Sequence, residues 1–185
     1  AFQGKGRFKF DWPRNGDSPQ IDLTAMGSAN NVSQVVPLLP LKKFPPRVGA
    51  WLDRALVKGR VPRADIRVSG PLRKFPFAAG EGVFNIDIDV EDCVLDYADL
   101  WPRIDNLDAR IIFDGASLST QRNSGRIGLI QFLDSDVRIA DLRKGQLEIH
   151  AQQPVTVEAV LEFLRQSPVA LAIGPVIDNA TGGGS

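Results

Sequence analysis

The sequence predicts a mainly β chain, a β-rich α+β fold of about eight largely antiparallel strands with two amphipathic helices. Three observations predict it. Apolar residues recur at every second position in a series of separate stretches. Turn signals rich in Gly, Asn and Asp separate those stretches. Two segments break the alternation and carry apolar residues at helical spacing instead. A chain of 185 residues, 43% hydrophobic and 24% charged, can bury a core without disulfides. A closed barrel, a sandwich and a long curved open sheet all fit this pattern.

Residues 5–12, KGRFKFDW, place Phe8 and Phe10 on one face of a strand, and 20–26, QIDLTAM, do the same with Ile21, Leu23 and Ala25. Residues 45–58, PPRVGAWLDRALVK, place Val48, Trp51, Leu52, Ala55 and Leu56 at helical spacing. Two prolines open this helix and Gly59 is placed to cap it. Residues 61–69 alternate Ala64, Ile66 and Val68 with Arg63, Asp65 and Arg67. Residues 83–90 alternate Phe84, Ile86, Ile88 and Val90 with polar neighbours. The rhythm continues through 107–113 (Ile111, Phe113), 116–121, 135–140 (Val137, Ile139) and 146–151 (Leu147, Ile149). One apolar and one wet face is the pattern of antiparallel sheet. Turns are expected at RNGD 14–17, AAGEG 78–82, DGAS 114–117, NSG 123–125 and RKG 143–145. The second helix spans 155–165, with Val157, Val160, Leu161 and Leu164 on one stripe and Arg165 at its end. Ser167-Pro168 stops it. Residues 169–177 fit a short helix or a strand.

Net charge is zero, but the charges are segregated. Residues 42–74 hold ten Lys/Arg against two Asp; residues 81–114 hold ten Asp/Glu against two Arg. Neighbouring elements of opposite charge that face each other or water explain this most simply; a basic block meeting anionic lipid head groups is the sharper reading. Nucleic acid is not expected as a partner, because the domain is not basic overall and its aromatics form no stacking platform. No apolar run approaches the ~20 residues that cross a bilayer. The opening on Ala1 and the closing TGGGS read as an excised piece of a longer chain.

The chemistry-bearing residues are few. No nucleophile elbow, phosphate loop or dinucleotide fingerprint is present. Cys93 is the single cysteine and reads as a small buried hydrophobe. His150 is the single histidine and stands on the strand face opposite Leu147 and Ile149, so no zinc site is expected. The row Asp87, Asp89, Glu91, Asp92 in FNIDIDVED is the best catalytic or calcium candidate. Its strand spacing and its Ile and Val spacers argue against a calcium loop. It reads first as a solvated strand face, second as a partner of the basic strand 61–69, and only third as a metal or acid–base site. No metal, cofactor or catalytic residue is expected.

Eight one-faced strands present more apolar side chains than two helices can cover, and a large uncovered apolar surface points to a ligand. Four stretches then bear a resemblance. LPLKKFPPRVGAWLDRALVKGRV (39–61), VSGPLRKFPF (68–77), GEGVFNIDIDVEDCVLDYADLWPRIDNLDARIIFDGASLS (80–119) and VLEFLRQSPV (160–169) resemble the central repeat of YhdP-type members of the AsmA-like family of Gram-negative bacteria. The most specific parts are GPL-x-x-FPF, the following G-x-G-x-F strand, VEDCVLDY-x-x-LWP and FLRQSP. The resemblance implies a curved, open groove or half-barrel. It divides the chain into the end of a preceding β repeat (1–30), one groove repeat (31–168) and the start of the next repeat or a linker (169–185).

It also implies a non-enzymatic segment of a bridge-like lipid-transport protein, in the periplasmic portion of an inner-membrane-anchored envelope protein. Its partners would be phospholipid acyl chains, flanking repeats of the same chain, and membranes reached through other parts of the protein. The expected groove lining, taken from the alternation, is Ile66, Val68, Phe84, Ile86, Ile88, Val90, Ile111, Phe113, Val137, Ile139, Leu147 and Ile149, with Trp51 and Leu52 as a possible gate. Two other readings stand beside it. One is a structural or interaction module whose core is sealed by its own helices. The other is an acidic hydrolase or calcium binder using Asp87, Asp89 and Glu91.

Overall fold

Each alternating stretch pairs with the next one along the chain, so the strands are laid down in sequence order. The structure, a computed structural model, describes residues 2–32, 50–51, 54–144 and 146–170. The strands are β1 (Phe2–Asp11), β2 (Gln20–Ala29), β3 (Leu56–Pro71), β4 (Val83–Leu95), β5 (Ile104–Asp114), β6 (Ser117–Ile127), β7 (Ile130–Ile139) and β8 (Glu148–His150). They form one antiparallel meander in the order β1 to β8. β1 and β8 are its two edges, so the sheet is open rather than a closed barrel or a sandwich.

Helix α1 (Val157–Arg165) forms where predicted. Thr156 caps it, its side-chain oxygen accepting from the Ala159 N–H at 3.2 Å, and Glu158 and Arg165 match the helix dipole. The helix expected over 45–58 needs correction. Ala50, Trp51, Arg54 and Ala55 are helical, but Leu56 already begins β3; positions 45–49, Leu52 and Asp53 lie outside the described residues. Gly59 is therefore not a helix cap. It sits inside β3 at φ +138, and a Cβ there would stand 2.2 Å from Cys93 Sγ. Only a glycine lets β3 and β4 close on each other at that point.

Most strands run further than their alternation suggests, because bulges interrupt the rhythm without ending the strand. Register shifts fall between Arg60 and Arg63 in β3, Val90 and Cys93 in β4, Asp105 and Asp108 in β5, and Thr120 and Asn123 in β6. Asp92, Asn106, Arg122 and Asp134 carry the positive φ angles of this band, at +49, +51, +54 and +51. Asn and Asp tolerate that conformation better than most residues. Neighbouring side chains accept the amide protons that the bulges release. Asp108 Oδ1 accepts from the Asp92 N–H at 2.8 Å, and Asp136 Oδ1 from the Arg122 N–H at 3.3 Å. The NSG at 123–125 is accordingly no turn but the interior of β6, and the turn falls at Gly128-Leu129 instead. Gly125 is required because a Cβ would lie 2.9 Å from the Phe132 ring.

The bulges add residues only on the wet side, so the apolar face keeps its phase through them. The core gathers there: Val61, Val90, Cys93, Leu107 and Ala109 are buried together with Ala29 and Val32. Cys93 is 2% exposed, and its burial pushes the thiol pKa up, as suits a packed hydrophobe rather than a nucleophile.

Candidate functional site

Directly paired residues of adjacent strands project from the same side of a sheet. The registers therefore define rows that cross the strands. One row runs Leu23, Val68, Phe84, and starts at Phe8 on the edge strand. The next runs Ala25, Ile66, Ile86, Phe113, Leu118, Ile139. A third runs Ala64, Ile88, Ile111, Thr120, Val137, Ile149. Val90 opposes Ala109 in a fourth. Eleven of the twelve predicted lining residues lie in these rows on one face; the twelfth, Leu147, precedes β8 two positions before Ile149.

Burial divides that face. Val90, at 7% exposed, is packed into the core, and Val68 is buried too. Ile66, Phe84, Ile86, Ile88, Ile111, Phe113, Val137 and Ile139 are half-buried. Ile149, at 62%, and Leu147 are open to solvent. Among the described residues, α1 on β7 is the principal element laid against the sheet apart from neighbouring strands. Among the described residues no second layer covers the apolar rows. Leu118, Leu23, Ala25 and Ala64 belong to the same face and were not among the expected lining residues. Alternation alone could have identified them.

The motif stretches sit at the two ends of the strands. After β3, one 3-10 turn (Leu72–Lys74) brings Phe75 over Phe84, with ring centroids 4.8 Å apart and Phe84 in turn 6.4 Å from Phe113. Phe77 is buried beside Gly70 and Gly82, where Cβ atoms would stand 3.1 and 2.9 Å from its ring. That contact accounts for Gly70 of GPL-x-x-FPF and Gly82 of G-x-G-x-F, whereas Gly80, at φ +81 with open space around its Cβ position, serves the turn. At the other end Trp101 of the LWP turn meets Phe163 of α1 at 5.7 Å and Tyr97 at 6.3 Å. A cavity of about 500 Å³ lies there, lined by Leu100, Trp101, Pro102, Arg165, Gln166, Ser167, Pro168 and Ala170. Trp51 donates its indole N–H to the Tyr97 carbonyl at 2.8 Å, so it is tied to the segment after β4. Leu52, its expected companion, lies outside the described residues.

The carboxylate row stands on the opposite face, and the pairing with strand 61–69 prevails there over plain solvation. Asp87 accepts two hydrogen bonds from Arg110, at 2.9 and 2.7 Å, and one from Arg63 at 2.8 Å. Arg63 also donates to Asp89 at 2.8 Å and to Asp65. The Arg110 guanidinium, helped by Arg63, holds the Asp87 carboxyl down to about 2. Lys58 and Arg60 meet Asp92 and Glu91. The basic and acidic blocks thus face each other across β3 and β4. A carboxylate held this far down by two arginines is a poor general acid or base at neutral pH. Among the described residues no group of three His, Cys, Asp or Glu is arranged to hold a metal. His150 is exposed on β8, four strands from Cys93 and so roughly 19 Å away at ordinary strand spacing.

No described helix is long and apolar enough to cross a membrane. No solved structure matches the chain. A curated relative, the "Intermembrane phospholipid transporter YhdP" of Escherichia coli (strain K12), is 23% identical over 177 residues. The match covers 96% of this chain but only 14% of that relative's length. The family model described as YhdP protein matches residues 1–185. The chain belongs to the YhdP protein family.

Proposed function

We propose that the apolar face of this sheet holds the acyl chains of phospholipid and forms one length of a lipid path between the two membranes of a Gram-negative envelope. The observation that carries this reading is the set of apolar rows that cross the strands half-exposed, with no second layer over them among the described residues. A soluble domain gains about 25 cal/mol for each Å² of apolar surface it removes from water, so such a face is costly to leave bare. An acyl chain laid across it would remove the same surface. The relative's phospholipid transport supports the choice of lipid. On this reading the chain is non-catalytic and periplasmic, its edge strands β1 and β8 join flanking repeats, and residues 1–30 and 169–185 belong to those junctions. Trp51 and Leu52 would guard one end.

A photoreactive residue replacing Ile86 tests this. It should label phospholipid in cells, whereas the same residue replacing Ile112, on the polar face between Asp87 and Ser119, should not. Equal labelling at both positions, or none at 86, would sink the proposal. The packed band around Val90 and Cys93 favours a second reading, a structural module with its own sealed core. On that reading neither position labels lipid.

A further inference from the structure

One polar cluster interrupts the apolar face. Thr120 sits in the row between Ile111 and Val137, and Asn123 opposes Ser135 just beyond the β6 bulge. Asn123 is 4% exposed, yet its Oδ1 meets no donor among the described residues. It is the buried side-chain polar atom left over there. Asn123 Nδ2 donates to Thr120 Oγ1, which also accepts the Val137 N–H at 3.2 Å. Ser135 Oγ donates to the Asn123 carbonyl at 3.4 Å. Thr120 Oγ1 therefore accepts twice and keeps a hydroxyl proton to give. Turning the amide half a turn lets that proton satisfy Oδ1, but it then frees Nδ2. One end of the amide stays unpaired either way, and buried polar groups are rarely left so.

We propose that Thr120, Asn123 and Ser135 form a notch in the apolar face that hydrogen-bonds an ester carbonyl of a diacyl glycerolipid. This rests on the reading of the face as an acyl-chain site. The chemistry follows from what must accompany the chains. Each acyl chain of such a lipid ends at an ester carbonyl, an acceptor without a proton. The turned amide offers it Nδ2–H, with Oδ1 held by the Thr120 hydroxyl. Thr120 lies in a half-exposed row and Asn123 in the packed band, so the notch stands at the boundary between the open and filled parts of the face. Asn123 is closed off in the free chain, so the ester end of a lipid lying along the open rows reaches the amide only when the band parts on the Thr120 side.

The test loads the purified chain from detergent micelles with equal amounts of dioleoyl phosphatidylcholine and its dioleyl diether analogue, and reads bound lipid by native mass spectrometry. The diether lacks only the carbonyls, and the choline head group has no N–H or O–H to confuse the result. A hydrogen bond of ordinary net strength should enrich the diester about fivefold in the wild type. Asn123→Leu should bring the ratio to about one, and Thr120→Val, which leaves the amide in place, should lower it. The wild-type ratio does not depend on either variant folding. Bound lipid at a ratio of one would overturn the notch while leaving the acyl-chain site standing. So would an Asn123→Leu protein that melts lower but keeps the fivefold preference. A wild-type chain that takes up neither lipid would overturn both.

Discussion

Asp87 shows how a residue that draws attention as chemistry can serve as structure. Its carboxylate takes three hydrogen bonds from two arginines on the strands either side, Arg63 on β3 and Arg110 on β5. Its side chain is 18% exposed, so solvent screens the ion pairs only in part. The carboxyl is lowered from 3.8 to about 2, so folding favours the ionised form. The stabilisation is complete above about pH 4 and is lost as pH falls from about 4 to 2. After allowance for screening it is worth about 1–2 kcal/mol. Melting temperature followed from pH 6 to pH 2 should therefore drop more steeply in the wild type than in Asp87→Asn, which lacks the titrating group. Parallel curves would show that the network adds nothing. Asp92 and Asp108 act differently again, as the side chains that tie the β4 bulge to Asn106 and to a backbone amide.

Among the elements, α1 depends most on its surroundings. Nine residues are too few for a stable isolated helix in water. Its cap at Thr156 and the Phe163–Trp101 contact hold it at the end of the sheet. Thr156→Ala should cost about 1 kcal/mol. Amide hydrogen exchange should then quicken over 157–165 and stay unchanged in β4 and β5. Equal quickening in the strands would mean that helix and sheet unfold together. The strands pose a different problem for sequence reading. Their alternation identified all eight, but β3 to β7 continue past their bulges into residues where the period slips. NSG at 123–125 shows why: Asn and Gly mark a turn in the sequence, yet both lie within β6, the positive φ of its bulge falls on Arg122, and only the partner strand reveals this.

For the whole molecule, the consequence of those bulges is a face with two parts. Where the bulges align across β3 to β7, the apolar side chains pack into a sealed band; towards the Phe84–Phe113 end they stay half-open. Charge placed in the two parts should act differently. Val90→Asp buries a carboxylate in the band and should abolish folding, read as loss of the β signal in circular dichroism. Phe113→Asp should leave a folded chain that carries no phospholipid through purification. A folded Val90→Asp protein would refute the sealed band, and a lipid-loaded Phe113→Asp protein would refute the open part as the lipid site.

By itself, the sequence determined which side of each strand is apolar, that turns join the strands in order, and that the carboxylates of FNIDIDVED lie away from Ile86, Ile88 and Val90. These are properties of neighbours along the chain, set by the two-residue period of a strand. The tertiary structure alone decided that the sheet stays open, that Val90 is sealed while Phe113 is not, that Arg63 and Arg110 hold Asp87, and that Asn123 is buried with one polar atom unmatched among the described residues. Each of these depends on register and bulge position. Both are agreed between residues on different strands, such as Asp87 with Arg110 and Asn123 with Ser135, and no local period encodes them.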